Sequence, residues 1–195
     1  MGEFMQKLSV KVAAHRLMEG NVIAYPTEAV WGLGCDPLNE QACLDLLQIK
    51  RRPIQKGMIL IAGSIDEFAG ILSALPVEQV QKLDAAWQNQ ISTGAITFLV
   101  PDLLEQVPYW IKGSHNSVAL RVSQHPLVKS LCHAFGGPLV STSANRSGKP
   151  PARSRVLVEK YFGGQLEFIV PGALGGATNP SKIIDFYTGE TIRAS

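Results

Sequence analysis

Short apolar runs of strand length alternate along this chain with segments patterned for helices, and that alternation restricts the fold more than any other feature. Val22 to Tyr25 is β-rich and stops at Pro26; Met58 to Ala62, Ala95 to Val100 and Ser117 to Val122 repeat the type. Pro138 to Val140 and Leu166 to Val170 follow, and Ile183 to Phe186 and Glu190 to Arg193 read as a strand pair turning at Thr188-Gly189. Between them, helices are predicted over Ser9–Glu19, from Asn39 through Ile49, around Phe68–Leu72, over Val77–Asn89, from Pro126 through Phe135 and over Arg155–Phe162. Asn39 is a natural N-cap, Ser64 to Glu67 has capping-box spacing, and Pro126 suits a first helical turn. Thr27 to Pro37 reads as a glycine-bearing loop. The expectation is an α/β sheet with antiparallel pairing at least at its C-terminal end.

A length of 195 residues suits one domain, and no repeat or linker divides it. With 46% hydrophobic and 17% charged residues the chain is set to fold, which excludes a disordered tail or scaffold. No apolar run reaches the ~20 residues that cross a bilayer, and no signal peptide opens the sequence, so a cytoplasmic location is expected. Residues 1–4 read as a cloning remnant ahead of a native Met5. Cys35, Cys43 and Cys132 match no metal or redox spacing and read as reduced, buried thiols.

Net charge is only +2, but the charges are segregated. No Asp or Glu lies between Asp45 and Asp66, where Lys50, Arg51, Arg52 and Lys56 crowd one turn around Pro53. None lies between Glu105 and Glu159 either, a stretch that carries Lys112, Arg121, Lys129, Arg146, Lys149, Arg153 and Arg155. If the two stretches meet, they form a positive cleft for a polyanion. Helix-dipole stabilisation does not require four cations, whereas a phosphate clamp does. After Val140 the chain opens into Ser141-Thr142-Ser143-Ala144-Asn145-Arg146, small polar residues whose backbone N–H groups can face an anion. Thr27 offers a hydroxyl where the first strand ends. Arg121 interrupts an apolar strand, which demands either a distant acidic partner or a bound carboxylate. There is no P-loop, no nucleophile elbow and no HExxH, and His15, His115, His125 and His133 are scattered, so each reads as structural. Chemistry by positioning and charge stabilisation, as in phosphoryl or nucleotidyl transfer, fits what remains.

YPTEAVWGLGCDP (Tyr25 to Pro37), KRRP…KG (Lys50 to Gly57), VALRVSQHP (Val118 to Pro126), STSANRSGKPP (Ser141 to Pro151) and NPSKIID (Asn179 to Asp185) together resemble the YrdC/TsaC family, most closely its short bacterial type. The resemblance covers nearly the whole chain and implies a single YrdC-like domain over residues 9–195. Its fold would be a twisted, open, mixed parallel and antiparallel sheet flanked by helices, with a large positive concave surface. It implies threonylcarbamoyl-AMP synthesis from L-threonine, bicarbonate and ATP, with Mg²⁺ on the phosphates and pyrophosphate released. Separate proteins would then modify the adenosine beside the tRNA anticodon. By position, Lys50 and Arg52 match the family's KxR signature and Ser143 and Asn145 its SxN signature, all four serving ATP and catalysis, with Lys56 as a further nucleotide contact. Thr27, Arg121 and Ser181 match threonine-side positions, Arg121 on the carboxylate, and Ser141 stands between the two ligands. Arg51 occupies a place where many relatives have glycine, and Arg193 receives no role. The rival reading seats double-stranded RNA or tRNA in the same basic cleft.

Overall fold

The computed structural model describes residues 2–90 and 94–194. In chain order the elements are α1 (Gly2–Met18), β1 (Ile23–Pro26), β2 (Trp31–Gly34), α2 (Glu40–Lys50), β3 (Ile59–Ala62), α3 (Ala69–Leu72), α4 (Val77–Gln88) and β4 (Ile96–Pro101). There follow α5 (Tyr109–Lys112), β5 (Ser117–Val122), α6 (Pro126–Phe135), β6 (Leu139–Ser143), α7 (Arg155–Phe162), β7 (Phe168–Ile169), β8 (Lys182–Asp185) and β9 (Thr191–Arg193). The strands form one sheet in the order β7-β1-β2-β6-β3-β5-β4-β8-β9. Pairing is parallel at β1–β7, β3–β5 and β4–β8 and antiparallel elsewhere, so the expected mixed open sheet is present.

Local signals act largely as read. The Asn39 side chain accepts from the Ala42 N–H at 3.0 Å to start α2. His125 caps α6, its ring accepting from the Leu127 N–H, with Pro126 in the first turn. The capping box at Ser64 does not form: Ser64 makes no cap bond, and Glu67 reaches past it to the Gly63 N–H at 2.8 Å, opening a 3-10 turn before the short α3. α1 begins at Gly2, ahead of the expected start at Ser9.

β2 is a larger departure. Trp31 to Gly34, read as loop, is a fully buried strand between β1 and β6. Its glycines hide the β pattern, yet packing requires one of them: a Cβ on Gly34 would lie 2.5 Å from the Val140 carbonyl oxygen and 2.8 Å from the Tyr25 ring. β6 likewise runs on to Ser143, because the antiparallel pairs Gly32↔Ser143 and Leu33↔Thr142 carry the ladder past the apolar run.

Alternation along the strands creates a two-sided sheet. Leu60, Ala62, Val118, Leu120, Val122 and Val140 face the larger core, which Leu46, Phe68, Leu83, Trp87 and Phe162 complete from the helices. On the other face, Ile23, Tyr25, Ile61 and Leu139 are covered by Val10, Ala13, Ala14 and Leu17 of α1 and Leu127, Val128 and Leu131 of α6. That cover is partial. Two residues along β6 from Leu139, and on its side of the sheet, come Ser141 and then Ser143, beyond reach of the helices and bordering a cavity.

Candidate active site

The uncovered half-face is the floor of a cavity of ≈ 350 Å³, within the range of small-molecule sites. β5 contributes Ser117, Ala119 and Arg121, β3 Ile59, β4 Leu99, β2 Gly32, β6 Ser141 and Ser143, and β8 Ile183. The register pairs Ile61 with Arg121, which places Arg121 on this same side. Arg52, Lys56, Lys112, Arg121 and Arg193 line the walls, and among the described lining residues there is no Asp or Glu.

The guanidinium groups are held in place and partly unsatisfied. Arg52 donates to the carbonyls of Lys56 at 3.2 Å and Gly57 at 2.9 Å, so the turn after α2 aims it. Arg193 donates to the Ser181 carbonyl at 2.7 Å. Burial and then the charge of Arg193 lower the Arg52 pKa; burial and then Arg121 do the same to Arg193. Three guanidiniums thus repel one another in a desolvated hollow, an arrangement that a bound anion relieves. Arg121 is paired with Glu28, whose carboxylate also accepts from the Ser123 hydroxyl at 2.7 Å and the Gln124 N–H at 3.0 Å. The distant acid that an arginine in this strand required is therefore Glu28. Buried Nε donors of both Arg52 and Arg121 still have no hydrogen-bond partner.

The backbone path around Arg51 is kept without glycine: Arg51 takes φ 52° and ψ 46°, and its N–H closes α2. That left-handed residue turns the chain so that Arg52 enters the cavity. The Ser143 hydroxyl donates to Asn145 Oδ1 at 2.6 Å, and Asn145 Nδ2 donates to the Lys149 carbonyl at 2.7 Å. Lys50 stands behind this loop, 4% exposed, its ammonium on the carbonyls of Ser143 and Asn145. The KxR and SxN segments are thus in direct contact. Arg52, Lys56 and Ser143 border the cavity, whereas Lys50 and Asn145 do not.

The remaining candidates also converge. Thr27 borders the cavity with its hydroxyl donating to the Val30 carbonyl at 2.7 Å, which closes the turn into β2 and leaves the oxygen able to accept. Ser141 borders it from β6, and Ser181 from the start of β8, its hydroxyl 2.8 Å from that of Thr97. No group of three His, Cys, Asp or Glu that could hold a metal occurs among the described residues.

The model of the Sua5/YciO/YrdC family, described as telomere recombination, matches residues 15–195. The chain belongs to that family. Proteins named threonylcarbamoyl-AMP synthase share 53% identity with it in Stutzerimonas stutzeri, over 94% of this chain and 96% of that one. In Marinobacter nauticus the identity is 48%, over 95% of each chain. Sua5 of P. abyssi, solved in complex with L-threonine, superposes with a TM-score of 0.82 at 30% identity over 92% of this chain. This chain spans about half of that protein, 51%. E. coli YciO, at 22% identity and a TM-score of 0.76, shares the fold.

The Sua5/YciO/YrdC cavity of this chain also contains residues to which the sequence assigned no part. Lys112 and His115 reach it because Gly57 packs against the α5 end, Met58 N–H donating to the Ile111 carbonyl at 2.8 Å and Ser114 N–H to Gln55 at 3.2 Å. Arg193 arrives through the β8–β9 hairpin. Their only advance signal was charge: Lys112 lies in an acid-free stretch.

Proposed function

We propose that this chain is an L-threonylcarbamoyladenylate synthase, joining L-threonine, bicarbonate and ATP into threonylcarbamoyl-AMP with release of pyrophosphate, for modification of tRNA beside the anticodon. The observation that carries this reading is one carboxylate-free cavity in which Arg52 and Arg121 each keep a buried donor unpartnered. The names of the relatives, and the threonine complex of P. abyssi Sua5, support the choice of substrates.

The chemistry follows from the charges. Threonine's amine adds to bicarbonate with loss of water, giving N-carboxythreonine. Its new carboxylate oxygen attacks the α-phosphorus, and the bond to the pyrophosphate oxygen breaks. An anion must approach a polyanion, so Arg52 and Lys56 on the phosphate side and Arg121 on the amino-acid carboxylate lower the cost of the encounter. Ser143 and Asn145 shape the nucleotide end, and Thr27, Ser141 and Ser181 supply hydroxyls for threonine. The cavity residues do not form a site for a resident Mg²⁺, whose oxygen ligands would be phosphate and water; it enters with ATP. A cavity of this size favours a nucleotide over an RNA duplex as its occupant.

The test is pyrophosphate release with threonine and bicarbonate omitted in turn. Release is expected to need both, and release indifferent to threonine sinks the assignment. Arg52→Ala is expected to lower turnover by at least ~100-fold with an unchanged unfolding midpoint. A steep fall of tRNA affinity with salt, alongside threonine-independent behaviour, would instead favour RNA as the main ligand.

A further inference from the structure

Of the four cations of the basic turn, Arg52 and Lys56 border the cavity, while Lys50 and Arg51 do not, and of these two only Lys50 is buried. It is the last residue of α2, 4% exposed, and all of its polar groups named here point at one segment. Its ammonium donates to the carbonyls of Ser143 and Asn145, the latter at 2.8 Å, while its own carbonyl accepts from the Ser147 N–H at 3.1 Å. These contacts join residues more than ninety positions apart. They bracket the stretch in which the Ser143 hydroxyl bonds Asn145 and Asn145 bonds Lys149.

We propose that Lys50 is a positioning residue, a clasp that fixes the Ser143–Ser147 loop at the cavity wall, and that it makes no contact with nucleotide itself. This rests on the proposed synthase reading for its catalytic consequence only. A long unbranched stem lets an ammonium reach two carbonyls from the end of a neighbouring helix, which a fork-shaped guanidinium does less well. Placing a cation there is costly: burial, and then the charge of Arg52, lower its pKa to about 7. The two carbonyl oxygens offset part of that cost, and removing the amine leaves both without this donor. What the arrangement secures is the geometry of Ser143 and Asn145, since their side chains turn with the backbone that Lys50 grips.

Hydrogen exchange of the ligand-free protein tests the idea, because a residue that only touches nucleotide has no effect on it. In Lys50→Met, amides 144–149 are expected to exchange at least tenfold faster, with β3 and β5 unchanged and turnover reduced. Lys50→Gln, whose amide offers two N–H donors, should recover part of both. Unchanged exchange in Lys50→Met overturns the proposal, as does lost turnover with full loop protection, which would put Lys50 on the phosphates. If Lys50→Met does not fold, Lys50→Arg takes its place: it retains charge but fits the seat poorly, so the same segment should loosen, and unchanged exchange there is equally decisive. Pyrophosphate release by the unmodified protein is scored separately. Failure of that assay removes the synthase reading while the exchange result still settles the clasp.

Discussion

Glu28 sits directly after Thr27, which borders the cavity, and steers a neighbour without bordering the cavity itself. It grips one side of Arg121 while the Arg121 Nε has no partner. Burial pushes the Glu28 carboxyl up, but Arg121, the Ser123 hydroxyl and backbone N–H groups outweigh it, and its pKa is below the usual 4.5. A carboxylate lowered in this way stabilises the fold above its unfolded pKa and loses that contribution as pH falls through the folded value. Glu28→Gln is therefore expected to cost about 3 kcal/mol near pH 7, a deficit that narrows below about pH 4. It should also raise KM for threonine more than KM for ATP. Denaturant unfolding across pH and steady-state kinetics check both, and equal effects on the two substrates would detach Glu28 from Arg121's role. Arg121 shows what a sequence can say at this scale. A charge in an apolar strand announces that it needs a partner, but the partner's identity depends on two chain segments ninety residues apart.

Among the elements, strands with β-branched, aromatic or leucine-rich composition and helices with caps were readable, and Arg155–Phe162 and Ser117–Val122 have the expected bounds. β2 was not, since glycine at alternate positions lowers strand propensity while contact with Tyr25 and Val140 makes it the residue that fits. Gly34→Ala is accordingly expected to destabilise the protein by ~1–3 kcal/mol through overpacking. The urea midpoint should fall with an unchanged slope, and an unaltered midpoint would mean that the Tyr25 ring yields freely. The consequence extends to the site: β2 is the partner along which β6 is carried to Ser143. Where the capping box failed, the cause was also local competition, as Glu67 found the Gly63 N–H one residue early.

The whole molecule is built so that its substrate completes it. Arg52, Arg121 and Arg193 gather in a desolvated hollow with one carboxylate nearby, so an occupying polyanion removes repulsion and satisfies free donors. ATP at a hundred times its Kd should add about 2.7 kcal/mol to stability, and for a chain of this size raise Tm by roughly 5–10 °C. A thermal melt in ATP, in pyrophosphate and in sodium chloride of equal ionic strength checks this; if salt alone reproduces the shift, the cavity is not the cause. No described helix is long and apolar enough to cross a membrane. From the sequence alone came the α/β class, most helices and strands, the exclusion of acids from two segments, and seven residues of the cavity lining: Thr27, Arg52, Lys56, Arg121, Ser141, Ser143 and Ser181. All of these are written in local composition or in contiguous motifs. Only the tertiary structure could decide that α1 and α6 cover half of one sheet face and leave the other half open, that Lys50 supports the wall from behind, and that Lys112, His115 and Arg193 border the hollow. Each of those depends on strand order and register between distant segments, and a pattern with a period of two residues states which side a residue takes without stating what lies across from it.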